Sequence, residues 1–290
     1  MIPAGVRDHL SRLLQQPLDS RQFIPINGGS INQAFQLRLP EGRKLFCKLN
    51  TATHFPLLFQ KEKAGLQLLG RQQVVSVPAV LDAAVTGAHQ VLLLEWVEEG
   101  PRTPAFWRQF GRQLAQLHAV SADAFGLEED NFMGSVPQCN QQEADWCTFF
   151  TRHRLWPLAR DCYRLGLLQQ GHLDQLDRLY GRLQDIFEPE KPSLLHGDLW
   201  SGNFICNHRS EPVLIDPAVS FGHRSADLAM TTLFGGFGPE FYDAYQHYFP
   251  LPRNYRDQWA VCNLYPLLIH LLLFGSSYRA QIEQTLDAFS

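Results

Sequence analysis

What this sequence lacks excludes several classes of protein. Its six cysteines never fall in a C-x-x-C pair, so neither a zinc site nor a small disulfide scaffold is indicated, and reduced thiols are expected. Acidic residues outnumber basic ones by 29 to 25, so the chain lacks the excess of positive charge that is typical of nucleic-acid-binding proteins. Low-complexity tracts and internal repeats are also missing, and the 45% hydrophobic content is that of an ordinary globular protein.

Long apolar segments are missing as well. The longest apolar run, 264–274, contains His270 and is far shorter than a bilayer-spanning helix requires. Residues 1–16 are typical of an amphipathic helix and contain no apolar signal-peptide core. We therefore expect a cytoplasmic protein whose partners include neither a membrane nor a nucleic acid.

The hydrophobic periodicity changes along the chain. Segments typical of strands dominate up to residue 97, with one further helix predicted at 55–69, and helical spacing dominates from Thr103 onward. The segment 95–101 breaks the pattern and ends in a Gly-Pro pair, which is a strong breaker. The sequence therefore predicts an α+β fold with two lobes. A small β-sheet lobe with one helix, residues 1–97, would bind a nucleotide, and a larger, mainly helical lobe, residues 98–290, would carry catalysis and substrate binding.

The stretch 194–216 carries the strongest chemical signal. An apolar strand end leads into a tight loop with Asp198 and Asn203, whose D-x-x-x-x-N spacing is that of the protein-kinase catalytic loop. A predicted hairpin then returns Asp216 toward them. Phosphoryl transfer needs a carboxylate that accepts the proton of the attacking hydroxyl, and hard oxygen ligands for Mg²⁺. Asp198 is therefore the candidate base, and Asn203 and Asp216 are candidate metal ligands. A helix-capping aspartate beside a polar hairpin is the structural alternative.

A lysine and a glutamate in the N-terminal part are candidate nucleotide contacts. Lys48 is on a predicted strand, and Glu62 is in the middle of the predicted helix that follows. Kinase-like folds use this order to pair a phosphate-binding lysine with a glutamate. A snorkelling lysine and a surface glutamate are the alternative.

Two loops of the same part are also candidate nucleotide contacts. A turn containing Gly28, Gly29 and Ser30 could place backbone amides over phosphates, or it could simply close a hairpin. The backbone at Glu95 and Val97, where the sheet pattern ends, could meet the adenine edge, or it could be an ordinary strand-to-helix loop.

Taken together, these motifs resemble the fructosamine/ketosamine kinase family, whose members are relatives of the aminoglycoside and choline kinases and have protein-kinase-like folds. The resemblance runs from about Asn27 to Tyr278. HGDL-x-x-x-N is common to the whole superfamily, whereas HGDLWSGN followed by IDPA, GHR and DLAM is more specific to the ketosamine branch. Ser225 departs from the glutamate that usually follows GHR. The matching segments are GGSINQAF (28–35), CKLN (47–50), F-x-x-E-x-x-G-L (59–66), PQCN (137–140), W-x-x-F-F-x-x-x-R-L (146–155), LLHGDLWSGN (194–203), IDPA (215–218) and DLAMTTLFGGF (227–237).

The resemblance implies ATP-dependent phosphorylation, with Mg²⁺, of a sugar hydroxyl on a small ketosamine or a glycated lysine. The hydroxyl is O3 in the best known members, and the 3-phosphate makes the sugar–amine adduct labile, which is a deglycation reaction. Carried over by motif, Asp198 would be the base, Asn203 and Asp216 the Mg²⁺ ligands, and Lys48 with Glu62 the phosphate-positioning pair.

Four further residues have structural or functional interpretations. Trp200 and His196 are candidate substrate contacts, and a packed indole is the alternative for Trp200. Asp227, near the start of a predicted helix, either caps that helix or reaches back to hold the backbone of the catalytic loop. His118, near the end of another predicted helix, is interpreted as a core or capping histidine.

Two other functions stay open from the sequence. A kinase for an aminoglycoside or an amino alcohol would be expected to collect carboxylates around a cationic substrate. A non-catalytic kinase-like binding protein would be expected to lack the base, a metal ligand or the lysine, and all of these are present. The carboxylates available to a cationic substrate are Glu98, Glu99, Asp123, Glu128, Glu129, Asp130, Glu143 and Asp145.

We predict that Asp198→Asn folds and binds ATP but turns over ~10²- to 10⁴-fold more slowly, the usual cost of a lost general base. Steady-state kinetics alongside nucleotide titration would measure both properties. Near wild-type turnover in this variant would refute the assignment of Asp198 as the base.

Overall fold

A computed structural model describes residues 2–26 and 32–289 of the chain, which cluster into two compact units. The first unit comprises Met1–Arg102 and Ile205–Pro217, and the second comprises Thr103–Phe204 and Ala218–Ser290. Residues 205–217 thus group with the first unit, although they lie within the predicted C-terminal lobe. The assignment of nucleotide binding to 1–97 and of catalysis to 98–290 stays a prediction. Among the described residues, no helix is both long and apolar enough to cross a membrane.

The first unit is built on one antiparallel sheet of five strands in the order β1-β2-β3-β5-β4. The predicted N-terminal hairpin pairs Phe23 with Leu37 and Ile26 with Ala34. The elements are α1 (Ala4–Leu13), β1 (Phe23–Ile26), β2 (Gln33–Arg38), β3 (Lys44–Thr51), α2 (Leu58–Arg71), β4 (Val80–Thr86) and β5 (His89–Glu95).

The alternation of side chains along β3 separates the core from the chemistry. Cys47 and Leu49 are buried in a hydrophobic cluster with Val6 and Leu10 of α1. Successive side chains of a strand point to opposite faces, so Lys48 leaves the sheet on the other side, where it meets α2.

The apolar pattern of residues 74–84 predicts one strand, but the structure has a shorter one. β4 begins only at Val80, and Ser76 instead forms a parallel bridge to Val213, with its carbonyl accepting the amide of Leu214 at 2.9 Å. Pro78 has no amide hydrogen for a ladder, which agrees with a late strand start.

The second unit is mainly helical around a core that includes Phe149, Phe150, Leu176 and Leu268. The helical spacing of residues 144–165 predicts one helix, and in the structure the π turn Thr151–Leu155 divides it. The hairpin β9–β10 starts at Phe204, which is the last residue of the stretch Thr103–Phe204, and its remaining residues belong to the first unit. The remaining elements are α3 (Pro104–His118), β6 (Asn131–Met133), β7 (Val136–Gln138), α4 (Trp146–Phe150), α5 (Trp156–Arg164), α6 (Gln170–Tyr180), α7 (Leu183–Ile186), β8 (Ser193–Leu195), β9 (Phe204–Cys206), β10 (Pro212–Leu214), β11 (Ser220–Gly222), α8 (Ser225–Leu233), α9 (Pro239–Tyr248), α10 (Tyr255–Cys262), α11 (Leu264–Phe274) and α12 (Arg279–Phe289).

Three short strands lie in two segments, 125–140 and 217–224, for which the sequence predicts irregular chain and a loop. β6 and β7 pair within the first segment, and β11 lies in the second. β11 pairs antiparallel with β8, so that Phe221 lies opposite Leu194. Strands of three residues carry too little alternation to be detected, and β11 forms only because a distant segment pairs with it.

Candidate active site

Lys48 of the first unit lies between two carboxylates. Its side chain is 5% exposed, and its Nζ donates to Glu62 Oε1 at 2.7 Å and also to Asp216 Oδ1. Strand β3 supplies the lysine, helix α2 supplies the glutamate, and the end of the β9–β10 hairpin supplies the aspartate. We call these three residues the lysine cluster.

The charges in the lysine cluster are unbalanced. Burial alone would lower the pKa of Lys48, but the negative charges of Asp216 and Glu62 outweigh that effect and raise it. Burial, with the charge of Asp216 adding to it, raises the pKa of Glu62 despite the neighbouring ammonium. One cation facing two carboxylates leaves excess negative charge, which a divalent cation would compensate.

Asp216 has an unusual backbone conformation. Its φ of 54° lies in the left-handed region, which residues other than glycine adopt infrequently. Aspartate tolerates that region better than most residues. Asp216 lies two residues after the end of β10, and its carboxylate, 38% exposed, contacts the buried lysine.

The second unit holds the loop from His196 to Asn203, which we call the catalytic loop. Asn203 is buried, and its Nδ2 donates to both the backbone carbonyl and Oδ2 of Asp198, each at 2.8 Å. The amide nitrogen therefore fixes the rotamer of Asp198, and Oδ1 is the atom that Asn203 can offer to a hard cation. The D-x-x-x-x-N spacing thus brings the two side chains into contact.

The catalytic loop is fixed at its start by Asp227. The backbone amide of His196 donates to Asp227 Oδ2 at 2.7 Å, and that of Gly197 donates to Oδ1 at 2.8 Å. No side chain forms a capping hydrogen bond at the start of α8. Of the two interpretations, the structure therefore supports the one in which Asp227 holds the backbone of the loop. Burial alone would raise the pKa of Asp227, but the hydrogen bond from His118 and the loop contacts lower it.

His118 lies in the core, as predicted, and it also contacts Asp227, which the sequence did not indicate. It is 2% exposed, its Nε2 lies 3.2 Å from Asp227 Oδ2, and its Nδ1 lies 2.8 Å from the hydroxyl of Tyr245. It therefore helps to satisfy the buried carboxylate that holds the catalytic loop. In the sequence, His118 is recognisable only as a histidine on an apolar helix face. Its partners, Asp227 and Tyr245, are more than 100 residues away, so the sequence does not reveal these contacts.

Gly197 is required by the path of the loop. Its φ is +84°, and a Cβ at this position would lie 2.0 Å from the carbonyl oxygen of Ala218. The amide of Ala218 in turn donates to the carbonyl of His196 at 2.9 Å. The loop and the segment after Asp216 thus approach at a distance that a side chain would prevent.

Trp200 and His196, the candidate substrate contacts, have different environments. Trp200 is 36% exposed, and its indole lies across Gly202 and meets Phe234 edge-on at 5.8 Å between ring centroids. His196 is fully buried, and its Nδ1 accepts the amide of Asp198 at 3.2 Å. A substrate contact by His196 does not fit this burial, and we correct that expectation: its ring shapes the loop from inside.

The predicted nucleotide contacts at the end of β5 are held in place by the neighbouring strand. The amide of Glu95 donates to the carbonyl of Ala79 at 2.9 Å, and Glu95 Oε2 accepts the amide of Ala79 at 3.2 Å. Val97 follows, half-buried. The predicted phosphate contacts Gly28, Gly29 and Ser30 lie outside the described residues.

Comparison with known proteins agrees with these motifs. The model of the fructosamine kinase family matches residues 3–289. The chain belongs to the fructosamine kinase family. A protein from Enterococcus faecium named "probable ketoamine kinase" is 40% identical over 275 residues, which cover 92% of this chain and 95% of that protein.

Two further relatives extend the comparison. Protein-ribulosamine 3-kinase of Arabidopsis thaliana, a chloroplastic protein, is 34% identical over 91% of this chain and 81% of its own length. A crystal structure from Thermobifida fusca, assigned as a fructosamine-3-kinase, is 32% identical, covers 98% of both chains and has a TM-score of 0.88. The predicted α+β, protein-kinase-like fold is confirmed, and the chain is an enzyme of the phosphotransferase class.

The departure from the family motif at Ser225 is accommodated by polar contacts. Ser225 is buried, and its hydroxyl donates to Gln258 Oε1 at 2.8 Å. The neighbouring Arg224 pairs instead with Glu190 at 2.8 Å. Ser225 and Arg224 therefore both have polar partners without the usual glutamate.

We predict that Asp227→Asn lowers kcat ~10-fold or more with little change in nucleotide affinity. The amide has one oxygen where two backbone amides need acceptors, and a buried unsatisfied donor costs about 1–3 kcal/mol. Steady-state kinetics and calorimetric ATP titration would separate the two effects. Since the folded-state pKa of Asp227 is lowered, its contribution to stability is present at neutral pH and is lost as the pH falls through that pKa.

Asp257→Asn is the matched control for this prediction. Asp257 also occupies the third position of a helix, α10, but it is exposed. Equal kinetics for the two variants would contradict the role of Asp227.

Proposed function

We propose that this chain transfers the γ-phosphoryl group of ATP to the O3 hydroxyl of the sugar in a ketosamine, such as a fructosyl- or ribulosyl-amine, as a deglycation enzyme. The amine is that of a small molecule or of a glycated lysine. The enzyme would work in the cytoplasm, which agrees with its six free cysteines.

The contact between Asp198 and Asn203, in a chain that belongs to a kinase family, is the observation that carries the proposal. Asp198 would accept the proton of the attacking sugar hydroxyl, and Asn203 would hold its carboxylate in one rotamer during that transfer. Asp227 would keep the backbone of the loop in place. Each of these tasks uses a contact within the second unit.

The chemistry of the donor set fits Mg²⁺. Asn203 Oδ1 and the Asp216 carboxylate are hard oxygen ligands of the kind that Mg²⁺ prefers, and the excess negative charge of the lysine cluster favours a cation. When bound, the ion would neutralise charge on the nucleotide phosphates. Asn203 and Asp216 would hold it.

The remaining roles concern the nucleotide. Lys48, held by Glu62, would position the α- and β-phosphates, as lysines on this strand do in kinase folds. The backbone at Glu95 and Val97 would meet the adenine edge. The turn at Gly28, Gly29 and Ser30 would cover the phosphates.

Exposed aromatic rings beside the catalytic loop support a sugar as the acceptor. Trp200 and Phe234 are 36% and 42% exposed, and Phe234 contacts the ring of His270 at 5.1 Å. Aromatic faces suit the apolar face of a sugar ring or the carbon chain of an amine, and clustered exposed rings mark binding surfaces. Trp200 would line the sugar pocket.

A polycationic aminoglycoside receives less support as the acceptor, because at least four of the candidate carboxylates already have partners within the fold. Glu98 pairs with Lys44 at 2.6 Å, and Glu143 pairs with His153 at 3.1 Å. Asp130 accepts the amide of Asn140, and Asp145 caps α4 through the amide of Thr148, each at 2.7 Å. Carboxylates engaged in this way are not free to surround a polycation.

We expect turnover with Mg·ATP on fructosyl-lysine or ribulosyl-lysine, and none on an aminoglycoside or choline. A coupled ADP-release assay measures turnover, and ³¹P NMR of the product identifies the phosphorylated oxygen. Phosphate on an oxygen other than O3 would correct the regiochemistry. Turnover only on the aminoglycoside or choline would refute the deglycation role and leave the kinase mechanism intact.

We predict that Asp216→Ala weakens Mg²⁺-dependent nucleotide binding at least ~10-fold, because the substitution removes a charged oxygen ligand. Calorimetric titration with ATP, with and without Mg²⁺, measures this dependence. Asp177→Ala, which removes an exposed carboxylate from α6, is the control. An unchanged Mg·ATP affinity in Asp216→Ala would remove this residue from the metal site.

A further inference from the structure

A cysteine, a histidine and a glutamate lie in a row in the second unit, and the phosphotransfer chemistry uses none of them. Cys139 Sγ is 3.4 Å from His153 Nδ1, and His153 Nε2 is 3.1 Å from Glu143 Oε1. With the Nε2 proton donated to Glu143, Nδ1 is free to accept the thiol proton. Nucleophile, base and orienting carboxylate are thus arranged in the order used for nucleophilic activation.

Three separate elements hold this cysteine triad together. Cys139 follows β7 directly. The π turn 151–155 carries His153, and such turns are frequent at functional sites. Glu143 is fixed by two backbone hydrogen bonds with Phe125, of 2.9 and 3.0 Å, so its side chain can change without loss of its backbone anchor.

Two arginines flank the cysteine triad. Arg154 is buried, and its guanidinium donates to the carbonyl of Cys139 and, at 2.7 Å, to Asn140 Oδ1. Arg152 lies 3.6 Å from Glu143 on the outer side of the triad. Asp130 is the nearby acidic group, and its carboxylate accepts the amide of Asn140. Imidazole and guanidinium groups beside a partly exposed thiol are the environment of reactive cysteines.

The other five thiols have environments that make them poor nucleophiles. Cys47, Cys162, Cys206 and Cys262 are buried, and burial raises the pKa of each thiol. Cys147 is half-buried like Cys139, but burial together with the charge of Asp145 raises its pKa to about 11. Cys147 therefore serves as an internal reference of similar exposure.

We propose that Cys139 is an activated thiol that undergoes exchange with low-molecular-weight disulfides, with His153 as its base and Glu143 as the residue that holds the imidazolium. The Cys139 thiol transfers its proton to His153 Nδ1, and the thiolate attacks one sulfur of the disulfide. The disulfide S–S bond breaks, a new bond forms between Sγ and that sulfur, and the released thiolate takes the proton from the imidazolium. The products are a mixed disulfide at Cys139 and one free thiol.

The test follows thiol exchange in the intact, folded enzyme. Dithiobis(nitrobenzoate) and oxidised glutathione are the probes, and peptide mass spectrometry assigns the modified cysteine at each time point. At neutral pH we expect Cys139 to react at least ~10-fold faster than Cys147. His153→Gln should slow Cys139 at least ~10-fold, leave Cys147 unchanged, and shift the rate profile of Cys139 to higher pH.

Glu143→Gln is the second variant and should slow Cys139 in the same direction by a smaller factor. It keeps the proposal testable if His153→Gln does not fold. A thermal unfolding midpoint and a kinase turnover close to those of the wild type establish that each variant is folded. Equal rates at Cys139 and Cys147 in the wild type would overturn the proposal. An unchanged rate at Cys139 in a folded His153→Gln or Glu143→Gln would also overturn it.

Discussion

The geometry of the catalytic loop depends on one buried carboxylate, that of Asp227. It accepts the amides of His196 and Gly197, and His118 approaches it from the other side. A buried carboxylate is tolerated only where several hydrogen-bond donors satisfy it. Removal of one donor leaves a carboxylate oxygen unsatisfied, which costs folding free energy. The lowered pKa of Asp227 shows that the donors outweigh the cost of burial. The position of Asp198, two residues after His196, therefore follows from contacts made far away in the sequence.

The lysine cluster of the first unit has the opposite electrostatic character. Three groups contact the single carboxylate of Asp227, whereas the single ammonium of Lys48 donates to the carboxylates of both Glu62 and Asp216. Burial, with the charge of Asp216 adding to it, raises the pKa of Glu62 despite the neighbouring lysine. A group that brings positive charge to Asp216 would free Lys48 for phosphate oxygens while Glu62 still holds its Nζ. The cluster thus suits a site that is completed by a metal–nucleotide complex.

Local patterns predicted most of the fold and two contacts of the candidate site. The N-terminal hairpin follows from alternation, the contact of Asp198 with Asn203 from their spacing, and the contact of Lys48 with Glu62 from the order of motifs in kinase-like folds. The contacts of His118 could not be found in this way, because their partners are distant in the sequence. Asp227 had two interpretations because an aspartate near a helix start satisfies the local rule for a cap, and only the tertiary structure decides which amides it meets.

Choice of acceptor within this fold has to come from residues outside the catalytic set, because a base, metal ligands and a lysine treat any hydroxyl alike. In this chain, the exposed rings of Trp200, Phe234 and Phe274 are linked through the half-buried ring of His270, with successive centroid separations of 5.8, 5.1 and 5.5 Å. Rings recognise apolar faces and carbon chains, whereas a polycation requires free carboxylates. A ketosamine joins a sugar face to a carbon chain, so this aromatic surface favours that acceptor where the shared phosphotransfer residues cannot discriminate.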